Sequence, residues 1–227
     1  MTTNDSVNNA EIKPVELRTP RATEREEMLA GRLYNPADAE LTALRERAAD
    51  LCLTFNQLPH SQAAERTKIL DQLFPEHGDA IEILGPLQCD YGVHTTIGNR
   101  VFINYNFTVL DCAPVRIGDD VLIGPNVSLL PPMHPLRWQD RNLRQTASGE
   151  YYDYEYGLPI TIERNCWIGG NVTILGNVTI GEGSVIGAGA VVTKNIPAHS
   201  IAVGNPARVL RQIDDTNDAA SLQSYAQ

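Results

Sequence analysis

The sequence is short of cysteine, of aromatic side chains and of positive charge. Its four cysteines, Cys52, Cys89, Cys112 and Cys166, stand far apart and form no CxxC pair. That spacing offers neither a disulfide framework nor a clustered zinc site, and it suits a reducing compartment. Aromatic residues make up 6% of the chain, and no stripe of interleaved basic and aromatic residues occurs. Lys and Arg total 18 against 28 Asp and Glu, a formal net charge of −10. Phosphate backbones and anionic membranes repel such a chain, so no nucleic-acid or membrane partner is expected. No apolar run approaches the length of a membrane span. Residues 1–20 are polar and lack the apolar core of a signal peptide, which predicts a flexible tail on a cytosolic protein. What remains is a chain of 227 residues, 42% of them hydrophobic, enough for one large domain or a small one joined to a larger.

The front of the chain, residues 21–85, reads as helical. Thr23 and Glu26 have the spacing of a capping box and open a short helix towards Tyr34. Asn35-Pro36 supplies a cap and a first-turn proline for a second helix, with Asp38 in its first turn. Leu41, Leu44, Ala48, Leu51 and Phe55 then recur at three- and four-residue spacing and share one face. Pro59 stops that helix, and Ser61 is a candidate cap for a third whose face is Ile69, Leu70 and Leu73.

After Pro86 the helical period gives way to a period of six. Ile97, Ile103 and Val109 are followed, after a two-residue slip, by Ile117, Ile123 and Leu129; Ile162, Ile168, Ile174, Ile180, Ile186 and Val192 then run without a break. Glycine often follows the aliphatic residue, as at Gly98, Gly118, Gly124, Gly169, Gly181 and Gly187. Six is too short for helical hairpin repeats and does not match alternating strands. It fits a solenoid in which each flat face takes one short strand and one turn, with aliphatic side chains stacked inward. The glycines are expected where the chain bends tightly or takes positive φ. The solenoid should span 86–211, with a long loop inserted at 131–159 and a flexible tail at 212–227.

The pattern Ile/Val-Gly-x-x-Val-x resembles the hexapeptide-repeat transferases. Ala30-Gly31-Arg32-Leu33-Tyr34, Cys89-Asp90-Tyr91-Gly92, Met133-His134-Pro135-Leu136, Asn165-Cys166-Trp167-Ile168-Gly169-Gly170, Val192-Thr193-Lys194 and Gly204-Asn205-Pro206-Ala207-Arg208 resemble, in this order, the maltose and galactoside acetyltransferases. The similarity runs from about Glu24 to Arg211. It implies a mainly β chain, a left-handed parallel β-helix with a small N-terminal helical subdomain. It implies acetyl transfer from acetyl-CoA to a sugar hydroxyl in a direct ternary complex, no metal, and a homotrimer with its sites between subunits.

The family's catalytic histidine falls on His134, in the loop that interrupts the repeats. A sugar hydroxyl is a poor nucleophile until a base takes its proton, and imidazole titrates where such a base must. The resemblance also carries over Asp90 and Asn104 as acceptor contacts. Asp111 stands near a family carboxylate position, as acceptor contact or as turn cap, but Cys112 occupies the place of the second acid that galactoside enzymes carry. Asp38 either reaches the sugar or only complements the helix dipole. For acetyl-CoA the matching positions are Trp167, Gly170 and Ala188 along the pantetheine groove, and Thr193, Lys194, Arg208 and Arg211 near the nucleotide, where Lys and Arg suit phosphates. Gly170 and Ala188 also fit simple packing between coils. Two other readings compete: a non-catalytic scaffold on the same fold, and a zinc hydratase, for which His94, His134 and His199 are poorly spaced.

Overall fold

In the computed structural model, which describes residues 22–214, Thr23 opens the first helix as its spacing predicts. The threonine hydroxyl accepts from Glu26 N, and the Glu26 carboxylate accepts from Thr23 N at 2.7 Å. This helix, α1 (Glu24–Leu29), is shorter than expected. The chain turns at Gly31, whose φ of 70° favours glycine, and Tyr34 leaves to bridge with Glu155. The cap of α2 (Ala39–Gln57) is Asp38 rather than Asn35: its carboxylate accepts from Glu40 N at 3.0 Å and Leu41 N at 3.3 Å. Leu41, Ala48, Cys52 and Phe55 form its buried face. The third helix, α3 (Ala63–Leu73), is preceded by Gln62 with no side-chain cap, so Ser61 does not cap it. Leu70 and Leu73 are buried there and Ile69 packs beside them.

Beyond the helices the chain winds into parallel coils with three faces. The first face stacks Thr95–Ile97, Val115–Ile117, Ile160–Ile162 and Val178–Ile180. The second stacks Glu82–Ile83, Phe102–Ile103, Leu122–Ile123, Trp167–Ile168, Val185–Ile186 and Ser200–Val203. The third stacks Leu87–Cys89, Phe107–Val109, Ser128–Leu130, Thr173–Leu175 and Val191–Val192. Register aligns the six-residue repeat from coil to coil. Ile97, Ile117, Ile162 and Ile180 form one inward column, and Ile83, Ile103, Ile123, Ile168 and Ile186 another. Each of these isoleucines is at least 96% buried, and removing such a side chain from water contributes about 1.5–3 kcal/mol.

The solenoid begins earlier than Pro86. Glu82–Ile83 already pairs with Phe102–Ile103, and His77 bridges to Ile97, so a first coil runs from about residue 76. Its repeat positions are His77, Ile83 and Cys89, six apart and opposite Ile97, Ile103 and Val109. Histidine and cysteine in two of the three aliphatic places hide this coil from the periodicity. The segments expected as tails lie outside the described residues, apart from 212–214. Gln212 closes a strand, Arg208–Gln212, that runs antiparallel along Ser200–Val203.

The repeat glycines are explained by proximity rather than by backbone twist. A Cβ on Gly118 would lie 2.6 Å from Arg164 N, and one on Gly124 2.7 Å from Gly170 N, each in the next coil. Positive φ falls on polar residues further along each turn. Arg100, Asp120 and Asn165 take it at one corner, and Asn106, Asn126 and Asn171 at another, with φ between 55° and 61°. Asn tolerates that region better than most residues. The second set is tied into a ladder, Asn106 Nδ2 to Asn126 Oδ1 at 2.8 Å and Asn126 Nδ2 to Asn171 Oδ1 at 3.1 Å.

One buried cation joins the helices to the first coil. Arg66 of α3 is 8% exposed; it donates to Phe55 O and Leu58 O at the end of α2, at 3.1 and 3.2 Å, and to Ile83 O and Leu84 O at 3.0 and 2.8 Å. Its guanidinium lies 3.9 Å from the centre of the Phe55 ring. Replacing Arg66 with Met leaves these carbonyls without a donor. The expected loss is about 3 kcal/mol of stability, read as a lower urea midpoint than the parent protein shows.

Candidate active site

Between the third and fourth coils the chain leaves the solenoid at Leu130 and returns at Ile160. This insertion is an ordered arm rather than a plain loop. Its stem pairs Pro132–Met133 with Tyr156–Gly157; above it come α4 (Trp138–Arg141) and a second ribbon, Arg144–Gln145 with Tyr151–Tyr152. In the stem Met133 stands opposite Tyr156, so the next pair along is His134 and Glu155. The ring nitrogen Nε2 of His134 lies 3.7 Å from Glu155 Oε2, with the imidazole 45% exposed and the carboxylate 17% exposed. On its other side Glu155 pairs through its backbone with Tyr34, and the buried Tyr34 hydroxyl donates to its Oε1. Glu155 therefore sits between a phenol and an imidazole. Burial, with Cys112 and Glu155 nearby, pushes the Tyr34 phenol up, so it stays a donor.

Asp90 belongs to the same neighbourhood. Burial, then the charges of Asp111 and Glu155, push its carboxyl up to about 6, against the partial opposition of Arg45. Arg45 donates to the Tyr91 hydroxyl at 2.9 Å and to Pro36 O at 2.6 Å, tying α2 to this edge of the solenoid. Burial also holds the Tyr91 phenol up, to about 12. An acidic group with a near-neutral titration, a base on an arm and a carboxylate beside that base can remove and hold a proton from a bound hydroxyl.

Two acidic residues named from the sequence are engaged elsewhere. Asp111 is fully buried; its carboxylate accepts from Tyr91 N at 2.8 Å, Gly92 N at 3.0 Å, His94 N at 3.1 Å and Thr95 Oγ1 at 3.1 Å. It caps a turn and presents no oxygen to a ligand, which overturns its reading as an acceptor contact. Asp38, only partly exposed, spends one oxygen capping α2. His94 is bound as well, its Nδ1 2.9 Å from Asp111 O. Among the described residues no group of three or more His, Cys, Asp or Glu is placed to hold a metal ion.

The remaining candidates fall on two different edges. Asp90, His134 and Thr193-Lys194 all follow strands of the third face, where the chain turns towards the first. Asn104, Gly170 and Ala188 follow strands of the second face, where it turns towards the third. Trp167 projects from that second face, 56% exposed, and Arg208 and Arg211 lie on its last strand. The side chains facing outward there are in register, Phe102, Leu122, Trp167, Val185 and Ile201, and make an apolar stripe along the solenoid. A single chain thus carries His134 on one edge and the candidate cofactor wall on another.

Glu155 and Tyr34 were missed as functional residues. Glu155 sits within the run 151–156 of tyrosines and acids, where nothing marks one acid over another. Its position opposite His134 would follow only from the stem register.

Stacked six-residue rungs interrupted by an arm that holds a histidine define a hexapeptide-repeat protein with a candidate transfer site. The maltose acetyltransferase hexapeptide capping motif matches residues 27–78, the bacterial transferase hexapeptide (six repeats) matches 159–194, and the hexapeptide repeat of succinyl-transferase matches 114–130. Galactoside O-acetyltransferase of Escherichia coli K12 is 37% identical over 200 residues, covering 88% of this chain and 94% of the relative. A maltose O-acetyltransferase from Clostridium difficile 630 superposes with a TM-score of 0.79 at 41% identity, over 86% of this chain and 99% of that one. A hexapeptide-repeat acetyltransferase from Vibrio cholerae, solved with acetyl coenzyme A, gives 0.74 at 39% identity, over 86% and 100%. The chain belongs to the hexapeptide-repeat acetyltransferases of the maltose and galactoside type.

The Asp90 carboxyl supplies a check on this electrostatic picture. Its folded-state value, about 6, lies above the ordinary 3.8, so the folded chain holds the proton more tightly and Asp90 opposes folding increasingly as pH rises through 4 to 6. Asp90→Asn, which does not titrate, should gain on the parent by roughly 1–3 kcal/mol between pH 4 and pH 7.5, measured by urea unfolding at both.

Proposed function

We propose that the protein transfers an acetyl group from acetyl-CoA to a hydroxyl of a sugar, with His134 as general base, in a direct ternary complex. The observation that carries this reading is the pairing of His134 with Glu155 at the root of the arm, 3.7 Å apart. The imidazole takes the proton of the acceptor hydroxyl as its oxygen attacks the thioester carbon. The carboxylate beside the ring stabilises the imidazolium that forms, and Tyr34 holds that carboxylate in place. Collapse of the tetrahedral intermediate breaks the carbon–sulfur bond, and the imidazolium returns its proton to the departing thiolate. Asp90 and Asn104 are the acceptor contacts in this reading.

For the cosubstrate, Trp167, Gly170 and Ala188 offer a flat, small-residue wall for the pantetheine arm. Lys194, Arg208 and Arg211 are cations at the far end of the solenoid that suit phosphates. Because wall and base lie on different edges, a complete site needs two chains, and a homotrimer with cyclic symmetry supplies three such sites. The outward stripe of Phe102, Leu122, Trp167, Val185 and Ile201 is an apolar surface that such assembly would cover. A cytosolic setting suits the four free cysteines. Among the described residues no helix is long and apolar enough to cross a membrane.

A cavity of about 650 Å³ opens between the arm and the front of the chain, lined by Glu24, Asn35, Thr146, Glu150, Tyr151 and Tyr154 among others. Its tyrosines and polar groups support a role for the arm in selecting the acceptor.

Two outcomes are expected. His134→Ala should lower kcat about 10²–10⁴-fold and Glu155→Gln roughly 10-fold, with the KM for acetyl-CoA nearly unchanged in both, measured by thiol release with a panel of sugars. Parent-level turnover in the His134 variant would remove the mechanism. Exchanging 137–156 for a shorter connection should alter the choice among sugar acceptors more than the affinity for acetyl-CoA; equal shifts in both constants would contradict the role given to the arm.

A further inference from the structure

Cys52 and Cys89 come from different parts of the fold and meet at its seam. Cys52 lies on the buried face of α2, 1% exposed, and Cys89 ends the strand Leu87–Cys89, where it stays partly exposed. Both are free, and their sulfurs stand 3.5 Å apart, within hydrogen-bonding reach for thiols. A second contact fixes the two elements against each other. Asn56, one helical turn after Cys52, grips Leu87 by both backbone groups: its Nδ2 donates to Leu87 O at 2.9 Å, and Leu87 N donates to its Oδ1 at 2.7 Å. Residues four apart share a helix face and residues two apart share a side of a strand. The amide clamp therefore sets the helix on the strand in the register that brings the sulfurs together.

We propose that Cys52 and Cys89 form a redox modification site, at which a peroxide converts the two thiols into an intrachain disulfide that ties the helices to the first coil. One sulfur gives up its proton and attacks a peroxide oxygen. The oxygen–oxygen bond breaks, the departing hydroxide takes a proton to become water, and the sulfur is left as a sulfenic acid. The other sulfur then attacks it, the sulfur–oxygen bond breaks, and a second water leaves as the sulfur–sulfur bond forms. Two thiols and one hydrogen peroxide become one disulfide and two waters.

The hydrogen bond with Cys89 draws the Cys52 thiol down, while the same bond and burial push Cys89 up. Cys89 is the member that solvent reaches. Closing to a bond length of about 2.05 Å asks only roughly 1.5 Å of movement, within side-chain reach. Cys112 and Cys166 are as buried as Cys52, each 1% exposed, but it is Cys52 that stands against the reachable Cys89, and Cys166 Sγ is turned to Gly181 O at 3.2 Å.

The test treats the full-length reduced protein with a slight excess of hydrogen peroxide, blocks residual thiols and maps unreduced peptides by mass spectrometry. The expected result is a Cys52–Cys89 cross-linked peptide, two of the four thiols lost, and reversal by dithiothreitol. Closing the chain segment between the two residues should also raise the thermal midpoint by roughly 5–10 °C, a shift absent from Cys52→Ser and Cys89→Ser proteins treated alike. If the folded protein instead gains sulfinic acid at Cys89, or links between chains, with no Cys52–Cys89 peptide, the proposal is overturned. Mass and melting are read without any acetyl transfer, so this result stands or falls apart from the proposed catalysis.

Discussion

The structure depends on one spacing. Parallel coils stay together because each backbone amide on one rung reaches a carbonyl on the next, as Gly118 N reaches Ile162 O at 2.8 Å and Gly124 N reaches Ile168 O at 2.8 Å. At the corners that distance leaves no volume for a β-carbon, so glycine recurs there. On the flat faces the same distance brings aliphatic side chains into van der Waals columns. Backbone pairing and side-chain stacking therefore impose one period on the sequence. The positions free of it are the outward ones, and they carry the variation: threonine and arginine on one face, an apolar stripe on another.

A wall so constrained cannot itself carry flexible chemistry. In the proposed mechanism, function enters where the period is interrupted. The arm leaves at Leu130 and rejoins at Ile160, yet Ile117 and Ile162 still pair across the gap as if nothing had been inserted. Its stem inherits the rigidity of the coils beneath it, and that rigidity fixes His134 opposite Glu155. The helices supply the other half of this arrangement, since Tyr34 reaches Glu155 only because α1 ends early and the chain turns at Gly31.

Much of this was legible in the residues. The repeats from Ile97 to Val192 announced the solenoid because every position of the six-residue column holds an aliphatic side chain. The first coil did not, because His77 and Cys89 stand in two of its three inward places. The helical faces and the Thr23 cap were readable from spacing, whereas the cap of α2 was not: Asp38 and Asn35 are equally good candidates until the backbone is seen. His134 was accessible through the motif around it, but Glu155 was not, since the register of a two-residue stem leaves no periodic trace. Asp111 shows the opposite failure. A carboxylate in the right stretch of sequence is consumed by four donors in a buried turn, and only burial reveals it.

The strand Arg208–Gln212 doubles back against the last rung, with its antiparallel partner Ser200–Val203 slipping register between Ile201 and Ala202. A stack of parallel rungs is otherwise a template that could keep adding copies at its open end, as amyloid does. Reversing the final strand and introducing an irregularity removes that template on the second face, while the helices cover the opposite end. End-to-end fibre growth is thereby discouraged at both ends of the stack.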